Sequence, residues 1–459
     1  MPSRLFALSL LVLISLPLAA QTGRPVLMIS VDGMRPDYVT HAAEHHLHIP
    51  NLLRVLAQGA HAEGVQGVFP TVTYPSHTTL VTGVWPARHG ILNNAIFDPE
   101  RRMHDSWYWY NGQIKVPTLW SAAHSAGLST ASVGWPVTVD ADCIDYLIPE
   151  YWRGASAADP TNPDDRMLMD AVSRPDNELR QIAERTATPY MNGNDTTIDG
   201  DEAKTIYSLD ILRRHRPRFM TIHLSSLDEE EHMHGPFSPE ADKDLERIDG
   251  MIGRLVTQEL ANDPDAVIAI VSDHGFADIS RATNLFIPFI QAGLVQAAPS
   301  SKDGAPRILS WKAEPWLAGG MAAIILHDPS DAATTAQVRG ILDKLAADSD
   351  SGVARILNAE QMQRLGGFPG AAFVVTLKPG YVTGPGIAGP LVTAIPHGGT
   401  HGYDPTAVPE MRSSFFILGK GVLAGKDLGV VDMRQIAPTI AGLLGISLPD
   451  AAQKSLSIR

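Results

Sequence analysis

Six residues in four short stretches of the chain are carboxylates and imidazoles, the groups that hold transition metals. They are Asp32 in ISVDGMRPD, Asp228 and His232 in LDEEEH, Asp273 and His274 in VSDHG, and His401 in THGYD. Asp228 and His232 are four apart, which puts both on one face of a helical turn. His401 would complete a three-ligand set with an open position, as catalytic zinc requires. Asp32, Asp273 and His274 make a second set. Adjacent Asp273 and His274 converge only on irregular backbone, such as a strand exit that Gly275 permits. Mixed Asp/His coordination suits zinc, and is also compatible with manganese or iron. Two metals about 3.5–4 Å apart stabilise both the attacking and the leaving oxygen of an in-line displacement at phosphorus. Thr73, in FPTVTYPSH, is the candidate nucleophile, because metal coordination activates a hydroxyl that is otherwise weak. Pro75 marks a helix start there, where backbone N–H groups would face a phosphoryl oxygen. Thr71 is the rival hydroxyl.

These residues need a scaffold that brings them together. Three of the acids follow runs that read as buried strands, PVLMISV (25–31), RFMTIHL (218–224) and AVIAIVS (266–272). A parallel sheet places ligand-binding groups at the carboxyl ends of its strands. Helical patterns alternate with these runs: IPNLLRVLAQG, a helix from near Pro75, VPTLWSAAHSAG, DEAKTIYSLDILRRH and KDLERIDGMIGRLVTQEL. Together they predict an α/β fold with a mainly parallel central sheet covered by helices on both faces. FFILGKG reads as a late strand and VDMRQIAPTIAGLLGI as a closing helix. Residues 140–200 lose the rhythm and read as an insertion over the sheet rim. Residues 280–390 read as a small inserted α+β unit. Glu229, Glu230 and Glu231 read as a solvated helix face.

The 459 residues are 44% hydrophobic, enough for a large core, and the formal net charge is −14. That charge disfavours a nucleic-acid duplex as partner, whose footprint is basic. It does not disfavour a small anionic substrate, since bound metals dominate local charge. Arg4 precedes the apolar run LFALSLLVLISLPLAA, which predicts a signal peptide over residues 1–20. The mature protein is therefore expected in the periplasm or secreted, without stable membrane insertion. Cys143 is the lone cysteine, so no intramolecular disulfide forms, and it reads as a small buried hydrophobe.

Taken together, VDGMRPDY, PTVTYPSHTTLVTGVWPARHGI, VPTLW, GWP, LDEEEHMHGP, SDHGF, HGYDP and the closing helix resemble the nucleotide pyrophosphatase/phosphodiesterase family of the alkaline phosphatase superfamily. The resemblance covers most of the mature chain outside the insertions. It implies one alkaline-phosphatase-like catalytic domain over residues 21–459, with insertions near 140–200 and 280–390. It implies two zinc ions per chain, one on Asp228, His232 and His401, the other on Asp32, Asp273 and His274, with Thr73 between them. It also implies phosphodiester hydrolysis through a phospho-threonine at Thr73. Ser76 stands three residues after the nucleophile, where the resemblance leads one to expect an amide that helps bind a phosphoryl oxygen. Tyr74 and His223 occupy the positions expected to flank the leaving group of a small phosphodiester such as a nucleotide.

Other chemistries fit less well. A sulfatase needs C/S-x-P-x-R around its nucleophile, and Cys143 sits in ADCIDY. A phosphomonoesterase calls for cationic groups near the nucleophile, and no Arg lies close to Thr73 in sequence. A phosphonate hydrolase or a phospholipid-headgroup phosphodiesterase would keep the same metals and threonine. A non-catalytic metal-binding protein would explain the ligands but not the added threonine at a helix start.

Overall fold

The computed structural model describes residues 23–100, 107–152, 165–190, 193–299 and 307–459. The signal peptide expected at 1–20 lies outside the described residues. The main sheet has eight strands in the order Lys426–Asp427, Ala60–His61, Phe415–Gly419, Val267–Val271, Val26–Val31, Phe219–Leu224, Thr130–Val133, Tyr146–Ile148. Val26–Val31 is central and pairs in parallel with both neighbours, Val26 opposite Phe219 on one side and Val267 on the other. Phe415–Gly419 runs antiparallel to both of its neighbours.

Side chains alternate across a strand, and the central strand divides its residues accordingly. Leu27, Ile29 and Val31 enter one core with Leu52, Tyr207, Leu245 and Ile252. Val26 and Met28 enter the other with Trp120, Ile436 and Ile440. The sheet is thus covered on both faces, as its unbroken apolar strands require. The long helix Pro239–Asn262 buries Leu245, Ile248, Ile252, Leu255 and Val256 at helical spacing. It begins with Pro239, and the Ser238 hydroxyl accepts from the N–H of Ala241.

Residues 140–200 hold more than an insertion. Tyr146–Ile148 is the edge strand of the main sheet, pairing in parallel with Thr130–Val133. Helices Asp165–Val172 and Glu178–Thr186 follow it. Periodicity missed a three-residue strand because it is shorter than the pattern needs. Between 280 and 390, the expected α+β unit is a four-stranded antiparallel sheet, Ala313–Ala318, Met321–Leu326, Phe373–Leu377 and Val353–Asn358, with helix Ala332–Ala347. EGVQGVF contributes Gly64–Gln66, which pairs with Val430–Asp432 apart from the main sheet.

One buried ion pair fixes the helix that follows strand Phe219–Leu224. Asp201 accepts from the N–H groups of Ser225 (3.0 Å) and Ser226 (2.9 Å), the start of helix Ser226–His234. Lys204 donates to Asp201 at 3.0 Å and to the Ser225 hydroxyl at 2.7 Å. Both charged side chains are almost completely buried. Removing one member of such a pair strands the other charge, at about 3–5 kcal/mol. Asp201→Ala is expected to lose that much stability, measured as a fall in the urea midpoint at unchanged m value. A loss under ~1 kcal/mol would show that this cap does not hold the helix.

Candidate active site

Asp32 follows Val31 directly, Asp273 lies two residues beyond Val271, and Asp228 four beyond Leu224. Because these three strands are in register, their carboxyl ends share one rim, and the three carboxylates meet there. Helix Ser226–His234 turns Asp228 and His232 to the same side, with Oδ2 and Nε2 3.4 Å apart. His401 arrives from the end of strand Val392–Thr400, its Nε2 3.8 Å from Asp228 Oδ1. His274 Nε2 lies 3.1 Å from Asp273 Oδ2, 3.4 Å from Asp32 Oδ1 and 4.0 Å from Asp228 Oδ1. The His274 and His401 rings stack at 3.7 Å. Gly275 serves by its missing side chain, since a Cβ there would sit 2.1 Å from the Glu410 carbonyl.

Free atoms are aimed inward. His401 Nδ1 donates to the Thr71 carbonyl at 3.0 Å and His232 Nδ1 to the Gly399 carbonyl at 3.1 Å. Each donation fixes the tautomer and leaves Nε2 with its lone pair toward Asp228. Asp273 Oδ1 accepts from the Gly33 N–H at 3.2 Å. Asp32 Oδ1, Asp228 Oδ1 and Asp273 Oδ2 are buried with no hydrogen-bond partner. Among the described residues, only histidines lie within ion-pair distance of these three carboxylates. Burial and the neighbouring Asp273 and Asp228 push the Asp32 carboxyl well above its ordinary range. Burial opposes charge on Asp273 too, yet His274 holds it below the usual range. Burial and the adjacent His274 and His232 keep His401 well below the ordinary histidine value. Two groups therefore offer ligand atoms within 4.8 Å of one another, Asp228/His232/His401 and Asp32/Asp228/His274. Crowded, unpartnered oxygens beside free imidazole nitrogens fit divalent cations. Asp228 stands in both groups, where separate sets were expected.

Thr73 opens helix Thr73–Thr82. Its Oγ1 is 3.4 Å from His274 Nε2 and 3.5 Å from the Asn94 amide nitrogen. Thr71 faces elsewhere, donating to the Tyr403 carbonyl at 2.7 Å. Ser76 is wholly buried, its hydroxyl without a partner. The amide beside the Thr73 hydroxyl is Asn94, whose Oδ1 also takes the Tyr74 N–H at 2.9 Å. Nothing in ILNNAIF marks Asn94 in sequence, because its position depends on a loop and not on a periodic element.

The two residues expected to flank a leaving group are both buried. The Tyr74 ring is fully buried, edge-on to Trp107 at 5.1 Å. Its hydroxyl donates to Glu150 at 2.6 Å. His223 is buried between Asp32 and Glu150. A hydrogen-bonded Tyr and His satisfy their polar tips inside the protein, which sequence position alone does not reveal. Cys143 is partly exposed at the margin of the second core.

The sequence model of the type I phosphodiesterase / nucleotide pyrophosphatase family matches residues 26–404. The chain belongs to this family. Human ectonucleotide pyrophosphatase/phosphodiesterase family member 1 is 26% identical over 266 residues, 55% of this chain and 23% of that protein. An uncharacterized pyrophosphatase/phosphodiesterase of Schizosaccharomyces pombe is 28% identical over 260 residues, 56% of this chain and 45% of that protein. The match thus spans less than half of these relatives' own length. Among solved structures, an inactive form of murine ectonucleotide pyrophosphatase/phosphodiesterase 5 in complex with AMP superposes with a TM-score of 0.64 at 18% identity. It covers 95% of this chain and 97% of that one. This likeness shows the shared alkaline-phosphatase-like fold.

Glu231 corrects a further expectation, for it is not solvated. It is wholly buried, accepts from the Tyr38 hydroxyl at 2.9 Å, and packs against Gly33, where a Cβ would lie 2.5 Å from Oε2. Gly33 has a φ of +75°, so both space and conformation exclude a side chain there. Burial, followed by the Asp228 charge, raises the Glu231 carboxyl well above its ordinary value of 4.5. A raised folded value means that the stability from the protonated form is complete below 4.5 and is lost as pH rises through the folded value. In chelator-treated protein, Glu231→Gln should match wild type near pH 4 and exceed its stability by ~1 kcal/mol or more at pH 8. Parallel pH–stability curves would refute the assignment.

Proposed function

We propose that this protein is an exported two-zinc phosphodiesterase of the nucleotide pyrophosphatase type, with Thr73 as nucleophile. The observation that carries the reading is the convergence of unpartnered Asp32, Asp228 and Asp273 oxygens and free histidine nitrogens beside the Thr73 hydroxyl. Asp228, His232 and His401 would hold one zinc, and Asp32, Asp273 and His274 the other, with Asp228 between them and Thr73 Oγ1 as a further ligand. When bound, the ions supply charge that lowers the hydroxyl pKa and stabilises oxygens in the transition state. Residues 21–459 would act as one catalytic domain, and residues 1–20 would direct the chain to the periplasm or the exterior.

The chain's own residues then have defined tasks. The Thr73 hydroxyl gives up its proton and Oγ1 attacks phosphorus, the bond to the leaving alkoxide breaks on the opposite side, and the alcohol departs with a proton. A phospho-threonine that still carries the retained ester group is left for water to hydrolyse. The Asn94 amide nitrogen, 3.5 Å from Oγ1, can donate to a non-bridging oxygen of the same phosphoryl group. The first turn of helix Thr73–Thr82 aims its positive end at that group. The substrate is a small phosphodiester. Burial of Tyr74 withdraws the stacking surface expected for a nucleobase, which favours a headgroup diester as a second reading of the leaving group.

Zinc-loaded protein should bind about two zinc ions per chain by elemental analysis and turn over bis(4-nitrophenyl) phosphate. Chelation should abolish that turnover. At most one tightly bound ion after loading would contradict the two-metal assignment. Thr73→Ala should lower kcat at least ~10³-fold with the fold retained, and Asn94→Ala ~10²-fold, the range for one oxyanion donor. Near-normal turnover by Thr73→Ala would remove Thr73 from the reaction. A kcat/KM for a headgroup diester that exceeds that for a nucleotide diester would decide for the second reading.

A further inference from the structure

A buried chain of hydrogen bonds runs beneath the site and touches both of its halves. The Tyr74 hydroxyl donates to Glu150 Oε1 at 2.6 Å. Glu150 Oε2 is 3.1 Å from His223 Nδ1, and His223 Nε2 is 2.9 Å from Asp32 Oδ2. The Gly134 carbonyl also lies 3.1 Å from Nδ1. With two acceptors against it, Nδ1 carries a proton and donates. Glu150 stands on the loop just after the edge strand Tyr146–Ile148 and is only 12% exposed, His223 2%. Asp32 and Tyr74 belong to different elements, the central strand's exit and the nucleophile's helix. Glu150 and His223 join the side chains of Asp32 and Tyr74.

We infer that Glu150 and His223 are positioning residues that orient Asp32 as a single-oxygen metal ligand and lock the nucleophile's helix to it. The inference rests on the two-metal reading above. The argument is one of occupancy. Whichever partner holds the proton, the 2.9 Å contact engages Asp32 Oδ2. Asp32 Oδ1 is left buried and unpartnered, facing His274 Nε2 at 3.4 Å. A free carboxylate rotates about its Cβ–Cγ bond, whereas one with an oxygen tied presents the other in a fixed direction. Partners of this kind behind a metal ligand typically change affinity 10–100-fold when removed. The Tyr74 branch adds a second effect. Tyr74 adjoins Thr73, so the same bridge that aims Asp32 also sets the register of the attacking hydroxyl against it. Glu150→Gln keeps one acceptor oxygen where two donors converge, so without a change of size it cannot accept from both the Tyr74 hydroxyl and the His223 N–H.

The test is equilibrium zinc competition against a chromogenic chelator on the full mature protein, together with kcat and KM for bis(4-nitrophenyl) phosphate. His223→Leu and Glu150→Gln should each weaken one of the two zinc ions ~10-fold or more and leave the other within about twofold. At saturating zinc, kcat should remain reduced while KM changes less. His223→Gln, whose side-chain amide can still donate to Asp32, should recover most of the zinc affinity. Tyr74→Phe, which cuts only the helix branch, should lower kcat with both zinc affinities retained. Wild-type zinc affinities and kcat in both Glu150→Gln and His223→Leu would overturn the inference, as would equal weakening of both ions. If His223→Leu does not fold, Glu150→Gln and His223→Gln decide by the same readouts. Failure of the underlying reading looks different, since wild-type protein would then bind no zinc pair or leave the diester intact.

Discussion

Three carboxylates converge in a buried pocket with no lysine or arginine to neutralise them among the described residues, and much of the architecture answers to that constraint. Two unit charges under 5 Å apart repel by roughly 3–4 kcal/mol at an effective dielectric of 20. Such a cluster persists only where rigid elements hold it and where cations offset the repulsion. The direction of the titration shifts carries the same message, with Asp32 pushed up while Asp273 is held down by His274. Imidazoles do part of this work, and the arrangement of free nitrogens and oxygens suits metal ions for the remainder.

Rigidity comes from layers behind the ligands. The parallel strands deliver Asp32, Asp228 and Asp273 to one rim, but their side chains are aimed by hydrogen bonds from other elements. Asp201 and Lys204 pin the helix of Asp228 and His232. The Thr71 and Gly399 carbonyls fix the tautomers of His401 and His232. Gly33 ties one oxygen of Asp273, and His223 one oxygen of Asp32. Each contact removes a degree of freedom before a ligand arrives, which is how binding sites lower their ordering cost.

Stability and chemistry are therefore hard to separate here. Buried groups that look like site chemistry, Glu231 and His77 among them, act through packing and hydrogen bonds. His77, pushed down to about 3 by burial and by His223 nearby, stays neutral. It donates from Nδ1 to the Thr73 carbonyl at 2.9 Å and accepts at Nε2 from the Ser30 hydroxyl at 2.9 Å. A neutral imidazole between the central strand and helix Thr73–Thr82 is a spacer of fixed length.

The acids and histidines that gather at the rim, the strands before them and the mainly parallel sheet were legible in the sequence. Hydrophobic runs of strand length ending in Asp report local periodicity, and periodicity depends on neighbours along the chain. The family was legible for the same reason, since its motifs are short and contiguous. Tertiary structure alone decided which side chains face the pocket. Tyr74 lies next to Thr73 in sequence yet points into the core, because successive residues on a helix diverge by about 100°. Asn94, Glu150 and His223 reach the site, or the layer behind it, from a loop, a strand exit and a neighbouring strand. Their roles depend on distances across the fold that no local pattern encodes.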